Sequence, residues 1–109
     1  MTVDTEVRAA LHGAREAEKL QSLFYRALAA AAEVAGNTDD AERLNGLLAD
    51  EQHHLSRLSA RLLELGERLA DLSAARAPDA RYPDWEDGAR AREADEVARY
   101  TRLLECPLD

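Results

Sequence analysis

Glu51 and His54 stand three positions apart in the run Asp50-Glu51-Gln52-His53-His54. The run interrupts a leucine-rich pattern. Leu44, Leu47, Leu48, Leu55, Leu58, Leu62, Leu65, Leu69 and Leu72 recur largely at steps of three and four residues, the period of one helix face. Glu51 and His54 fall on that same stripe. An ionisable pair on the buried face of a helix is costly unless something compensates it. A metal ion is one such compensation. Glu-x-x-His offers a carboxylate and an imidazole from one face, a spacing that holds carboxylate-bridged metal pairs.

Further donors carry a weak internal repeat. Glu18 is followed seven residues later by Tyr25, and Glu93 seven residues later by Tyr100. Two helical turns put each pair on a shared face. Glu96 lies on or next to the same face as Glu93. Carboxylates with one imidazole per metal suit iron or manganese and leave coordination positions open for dioxygen or peroxide. Without cations, a buried carboxylate cluster must take up protons or disrupt the fold.

These residues need helices to position them, and three are legible, over about 5–35, 39–74 and 85–105, with a connector over 75–84. Val7, Ala10, Leu11, Ala14, Ala17, Leu20, Leu23, Phe24, Leu28, Ala31 and Val34 give the first a broad apolar face. Thr2 or Asp4 is positioned to cap its start. Gly36-Asn37 is a stop signal, and Asp39 with Glu42 resembles a capping box for the second helix. So short a connection makes the two helices antiparallel neighbours. Facing residues of a hairpin lie equally far from its centre. A centre at Gly36 to Asn37 puts Glu18 opposite position 54 or 55; a centre nearer Ala35 puts it opposite 51 or 52. Either register brings Glu18 to the level of Glu51 and His54.

The second helix is expected to run into the low seventies, with Gly66 as a kink or fraying point. Pro78 and Pro83 keep the connector out of helix. Asp84 is a good N-cap for the third helix. The inner stripe of that helix reads Trp85, Ala89, Glu93, Val97, Tyr100, Leu103 and Leu104, and Pro107 ends it. The expected fold is all-α: an antiparallel hairpin plus a third helix, in a single domain over 1–109.

With these residues in view, the sequence resembles the ferritin-like superfamily, within it the rubrerythrin-type di-iron carboxylate proteins. The matching residues are Glu18 and Tyr25, Glu51-Gln52-His53-His54, and Glu93-Ala94-Asp95-Glu96 with Tyr100. The resemblance covers about residues 5 to 104. It implies a four-helix bundle holding two iron ions, with manganese as the alternative. Glu51 would bridge the metals, His54 would bind one, and Glu18 would be a terminal carboxylate. Glu93 would be its counterpart or a second bridge, and Glu96 would match the extra glutamate of rubrerythrin-type sites. Tyr25 and Tyr100 would orient carboxylates on the opposite helix. The implied activity is Fe(II) oxidation by O2 or peroxide, of ferroxidase or peroxidase type, in iron handling or oxidant defence.

The chain departs from that family in one respect. The family's fourth helix carries a second Glu-x-x-His, and no second such motif occurs in the 109 residues. One solution is assembly about a twofold axis, in which each subunit of a homodimer gives Glu18, Glu51 and His54 to an intersubunit site. Encapsulated ferritins, which are two-helix half-ferritins with a short third helix, resemble this. The other is an asymmetric site in one chain completed by Glu93 and Glu96. The intersubunit site is the favoured expectation, because dimerisation covers the bundle face that three helices leave open.

Composition narrows the alternatives. Asp and Glu outnumber Lys and Arg 22 to 14, giving a net charge of −8 with no basic face for a nucleic acid. The single cysteine, Cys106, excludes an internal disulfide and a four-thiolate iron site. No apolar run approaches the roughly 20 residues of a membrane helix, and the N-terminus lacks a signal-peptide core. A cytoplasmic protein is expected by default. There is no Gly-rich phosphate loop, nucleophile elbow or Cys-x-x-Cys. The alternative to a metalloprotein is a metal-free helical oligomerisation or adaptor module, with Glu18, Glu51 and His54 in a buried hydrogen-bonded cluster. His53 points about 100° from His54 and is expected to be exposed.

Overall fold

In the computed structural model, residues 2–78 and 85–105 are described, with side chains for 5–78 and 85–101. Within these the chain is all-helical, with α1 over Thr2–Val34, α2 over Thr38–Glu64 and α3 over Trp85–Glu105. Thr2, Asp4, Leu103 and Leu104 lie in helices, but their side chains fall outside the described set. Asp84, Cys106 and Pro107 lie outside the described residues altogether.

Helices α1 and α2 form an antiparallel hairpin through a turn fixed by backbone chemistry. Gly36 takes a left-handed φ of +76°. Its N–H donates to the Glu33 carbonyl, and the Asn37 N–H donates to that of Ala32, so the turn satisfies carbonyls that the helix end would otherwise leave unpaired. Asn37 then caps α2. Its side-chain oxygen accepts from the Asp40 N–H at 3.0 Å, while its amide nitrogen donates to the Asp40 carboxylate at 3.0 Å. The expected cap at Asp39 with Glu42 is thus displaced two residues earlier. Asn37 already has its side chain over the first free N–H groups, and Asp39 lies inside the helix.

The hairpin core is divided into two apolar clusters. Towards the turn, Phe24, Tyr25, Leu28, Ala29 and Ala32 of α1 pack against Ala41 and Leu44 of α2 and against Trp85 and Ala89 of α3. Towards the other end, Leu11 and Ala14 pack against Leu58 and Leu62, with Val7, Leu65 and Leu69 beside them. Glu18, Glu51 and His54 lie at the level between the two. Helix α3 runs antiparallel to α1, since Ala89 joins the cluster containing Phe24 whereas Tyr100 reaches Glu18. Gly88 permits the close approach: a Cβ there would lie 3.3 Å from Phe24 Cζ. Arg92 covers the Phe24 ring at 4.7 Å, and Arg43 of α2 covers the Trp85 ring at 5.0 Å.

Two expectations are corrected. Helix α2 stops at Glu64, not in the seventies, because Gly66 adopts φ +78° and Glu67 N–H bonds back to the Leu62 carbonyl. The leucine spacing misled here, since Leu69 is packed against the core from a non-helical segment. That segment is strapped to α1. Arg8 donates to the Leu65 carbonyl at 2.6 Å and to Glu67 at 3.0 Å, and Arg15 donates to the Ala70 carbonyl at 2.8 Å. Second, Val34 and Val97 are not inward: they are 91% and 64% exposed. Val34 ends α1 beyond the packed hairpin, and Val97 is rotated one residue past inward-facing Glu96. Helix α1 begins at Thr2, at the early edge of the start expected near Thr2 to Thr5.

Candidate metal centre

Four side chains meet in the gap between the apolar clusters: Glu18 from α1, Glu51 and His54 from α2, and Glu96 from α3. One donor atom from each lies within 4.8 Å of all the others. The three carboxylates are almost wholly buried, at 1%, 2% and 8% exposure for Glu18, Glu51 and Glu96, while His54 is half-buried. The hairpin register predicted from Gly36 accounts for Glu18 meeting the Glu51–His54 turn.

The His54 Nδ1 atom lies 3.6 Å from Glu18 Oε2, 3.7 Å from Glu51 Oε2 and 3.4 Å from Glu96 Oε1. These separations exceed the 2.7–3.2 Å of ordinary N–H···O bonds. They do fit donors that share one cation. Two ligands each about 2.1 Å from a first-row ion stand roughly 3 to 4 Å apart, depending on the angle between them. Glu18 Oε2, Glu51 Oε2, His54 Nδ1 and Glu96 Oε2 are all enclosed without a hydrogen-bond partner. Buried polar atoms are ordinarily satisfied, so four such atoms on four side chains that meet in one place call for a ligand. The donor set of carboxylate oxygens with one imidazole nitrogen fits iron or manganese.

The electrostatics agree. Burial, and then the neighbouring carboxylates of Glu18 and Glu96, push the Glu51 carboxyl from 4.5 to about 10. Burial and the charge of Glu18 also raise Glu96. Without a cation the Glu51 carboxyl therefore holds a proton at neutral pH. A divalent ion would offset the same repulsion and displace it.

No family model, curated protein or solved structure matches the chain.

The remaining expected site residues surround the group. Tyr100 donates from its hydroxyl to Glu18 Oε1 at 2.9 Å, and Tyr25 donates to Glu93 Oε1 at 2.7 Å. Each tyrosine thus serves the carboxylate of the opposite helix. Burial raises both phenols well above their usual range, and the accepting carboxylates add to the rise. Glu93 is not among the four converging residues. It lines, with Glu51, His54, Tyr25 and Asp50, a cleft of about 410 Å³ between α2 and α3. His53 is exposed. His12 lies away from the site and meets Glu67 at 3.0 Å. Sequence reading missed Gln21, which is buried and donates to the Tyr25 hydroxyl at 3.2 Å. Its position four residues before Tyr25 was the available signal.

Proposed function

We propose that this chain is a ferritin-like, rubrerythrin-type iron protein that binds Fe(II) through Glu18, Glu51, His54 and Glu96 and oxidises it with O2 or peroxide. The observation that carries the reading is the convergence of three buried carboxylates on His54 Nδ1, at 3.4–3.7 Å, with one atom of each of the four residues enclosed and unpartnered. Bound iron would supply the electrons for reducing the oxidant. The chain's own residues would gather the cation, hold the carboxylates ionised beside it and exclude bulk water with the two flanking apolar clusters. Glu93, in the adjoining cleft, would serve a second ion together with Glu51. Manganese is the alternative occupant. The acidic composition, the half-buried imidazole and the open cleft are all compatible with cation entry from the α2–α3 side.

Assembly forms part of the proposal. The cleft leaves Glu51 and His54 bordered by protein on the α1 side and open between α2 and α3. A second copy seated there would add a fourth helix and its donors, completing a two-metal site in a homodimer. Anaerobic Fe(II) titration followed by oxygen tests the metal reading: tight binding and an absorbance change on oxygenation are expected. Background-level binding of both iron and manganese would leave the metal-free adaptor module as the better description. The dimer fails separately if a demonstrated monomer binds iron at full strength.

A further inference from the structure

A partly buried hydrogen-bonded chain leads away from the site into the α1–α3 groove. The Arg92 Nε–H donates to Gln21 Oε1 at 2.6 Å, Gln21 Nε2 donates to the Tyr25 hydroxyl at 3.2 Å, and that hydroxyl donates to Glu93 Oε1 at 2.7 Å. Gln21 and Tyr25 are both buried, so neither can exchange these partners for water at little cost. The chain has a direction. A guanidinium has no acceptor, so the atom of Gln21 that meets Arg92 must be the carbonyl oxygen. The amide NH2 must then face Tyr25. A phenol oxygen that accepts from an amide has one proton left to place, and Glu93 is the acceptor in reach. Arg92 is itself fixed, lying 4.7 Å over the Phe24 ring in the same α1–α3 contact.

From this polarity we infer that Gln21, held by Arg92, is a positioning residue that makes Tyr25 an obligatory hydrogen-bond donor to Glu93. The inference rests on the proposed metal reading, in which Glu93 serves the ion. A phenol without the amide behind it is free to turn its proton away from Glu93, and the hydrogen bond that orients that carboxylate is then lost. With Gln21 in place, the Tyr25 proton is held on Glu93 Oε1 and orients that carboxylate, leaving its second oxygen for a cation. Glu18, with Tyr100 as its donor, has no comparable clamp behind the phenol among the described residues.

Substituting Gln21→Glu reverses the polarity, because the Tyr25 proton gains a competing carboxylate; Gln21→Met removes the chain with little change of volume. Two readouts separate the claims. The first is the tyrosine Raman doublet of metal-free protein, taken as the difference from Tyr25→Phe, which reports whether a phenol donates or accepts. The wild type is expected to show a strong donor, and Gln21→Met a phenol that has lost its incoming hydrogen bond. The second is the Co(II) dissociation constant. Gln21→Glu is expected to weaken binding about tenfold, the lower end of effects from groups behind a ligand. In a Tyr25→Phe background the same substitution should change nothing, which a purely structural role would not produce. A wild-type Tyr25 that is not a donor, or an undiminished effect of Gln21→Glu in the Tyr25→Phe background, overturns the inference. Unchanged cobalt affinity in both Gln21 variants overturns it as well. Failure of the wild type to bind cobalt at all overturns the metal reading, and the relay's proposed use with it.

Discussion

Replacing Glu51 with glutamine should make the metal-free protein more stable while removing its ability to bind metal. Glu51 is 2% exposed, and its carboxyl is raised from 4.5 to about 10, first by burial and then by Glu18 and Glu96. The folded chain therefore keeps a proton that the unfolded chain releases above about pH 4.5. Where the folded state binds more protons, stability falls as pH rises. The penalty is absent below about pH 4.5, grows through neutrality and stops growing near pH 10. At about 1.4 kcal/mol for each pH unit in that window, it reaches about 3 kcal/mol by pH 7. Glu96 is raised for the same first reason, burial, and adds to the decline in the same direction. The neutral, isosteric amide of the variant cannot ionise, so Glu51→Gln should regain up to about 3 kcal/mol at pH 7, roughly 10 °C in Tm for a chain of this size. The assay is urea unfolding in a chelating buffer at pH 5, 7 and 8.5. Wild type should lose stability across that range, and Glu51→Gln should lose much less. A wild type whose stability rises from pH 5 to pH 8.5, or a variant less stable at every pH, would refute the picture of an uncompensated carboxylate cluster.

Other consequences follow from the same structure. Binding of Co(II) or Mn(II) in a weak buffer at pH 7 should release about one proton per ion, because the cation displaces the proton held by Glu51; calorimetry in buffers of different ionisation enthalpy measures it, and a proton-neutral reaction would contradict the assignment. Tyr100→Phe removes the donor to Glu18 Oε1 and should weaken metal binding about tenfold while costing only about 1 kcal/mol of stability. Gly66→Ala forces a side chain into φ +78° and should cost about 1–2 kcal/mol, whereas Gly46→Ala, within α2 with nothing within 4 Å of its new Cβ, should gain about 0.5–1 kcal/mol in chemical denaturation.

Much of the site was legible because helix geometry is periodic. Glu51 and His54 on the leucine stripe, together with the glycine stop at 36, were enough to bring Glu18 opposite them. The two Glu-x6-Tyr pairs identified the tyrosines, and the structure shows them crossed between helices: Tyr25 serves Glu93 and Tyr100 serves Glu18. What periodicity cannot read is rotation within a face. Glu93 and Glu96 both lie on the inner side of α3, yet Glu96 turns into the four-residue group and Glu93 into the neighbouring cleft. Val97 was read as inward on the same spacing and is exposed. The end of α2 was misread for a different reason. Leu69 keeps the helical interval by sequence, but the left-handed Gly66 has already ended the helix, and the leucine reaches the core from a strap tied down by Arg8 and Arg15. Gln21 escaped notice because a glutamine carries no charge signal. Its role depends on which atom faces Arg92, and that is a matter of three-dimensional contact.

The most direct test is metal content set against a single substitution. Purified protein is loaded anaerobically with Fe(II), freed of excess ion, and analysed for iron per chain beside Glu51→Ala, with the mass of each assembly measured in the same samples. At least one ion retained per wild-type chain, and loss of that ion in a folded Glu51→Ala, is the predicted result. Iron at background in the wild type, or the same iron content in both proteins, would contradict the assignment of Glu18, Glu51, His54 and Glu96 as a metal centre.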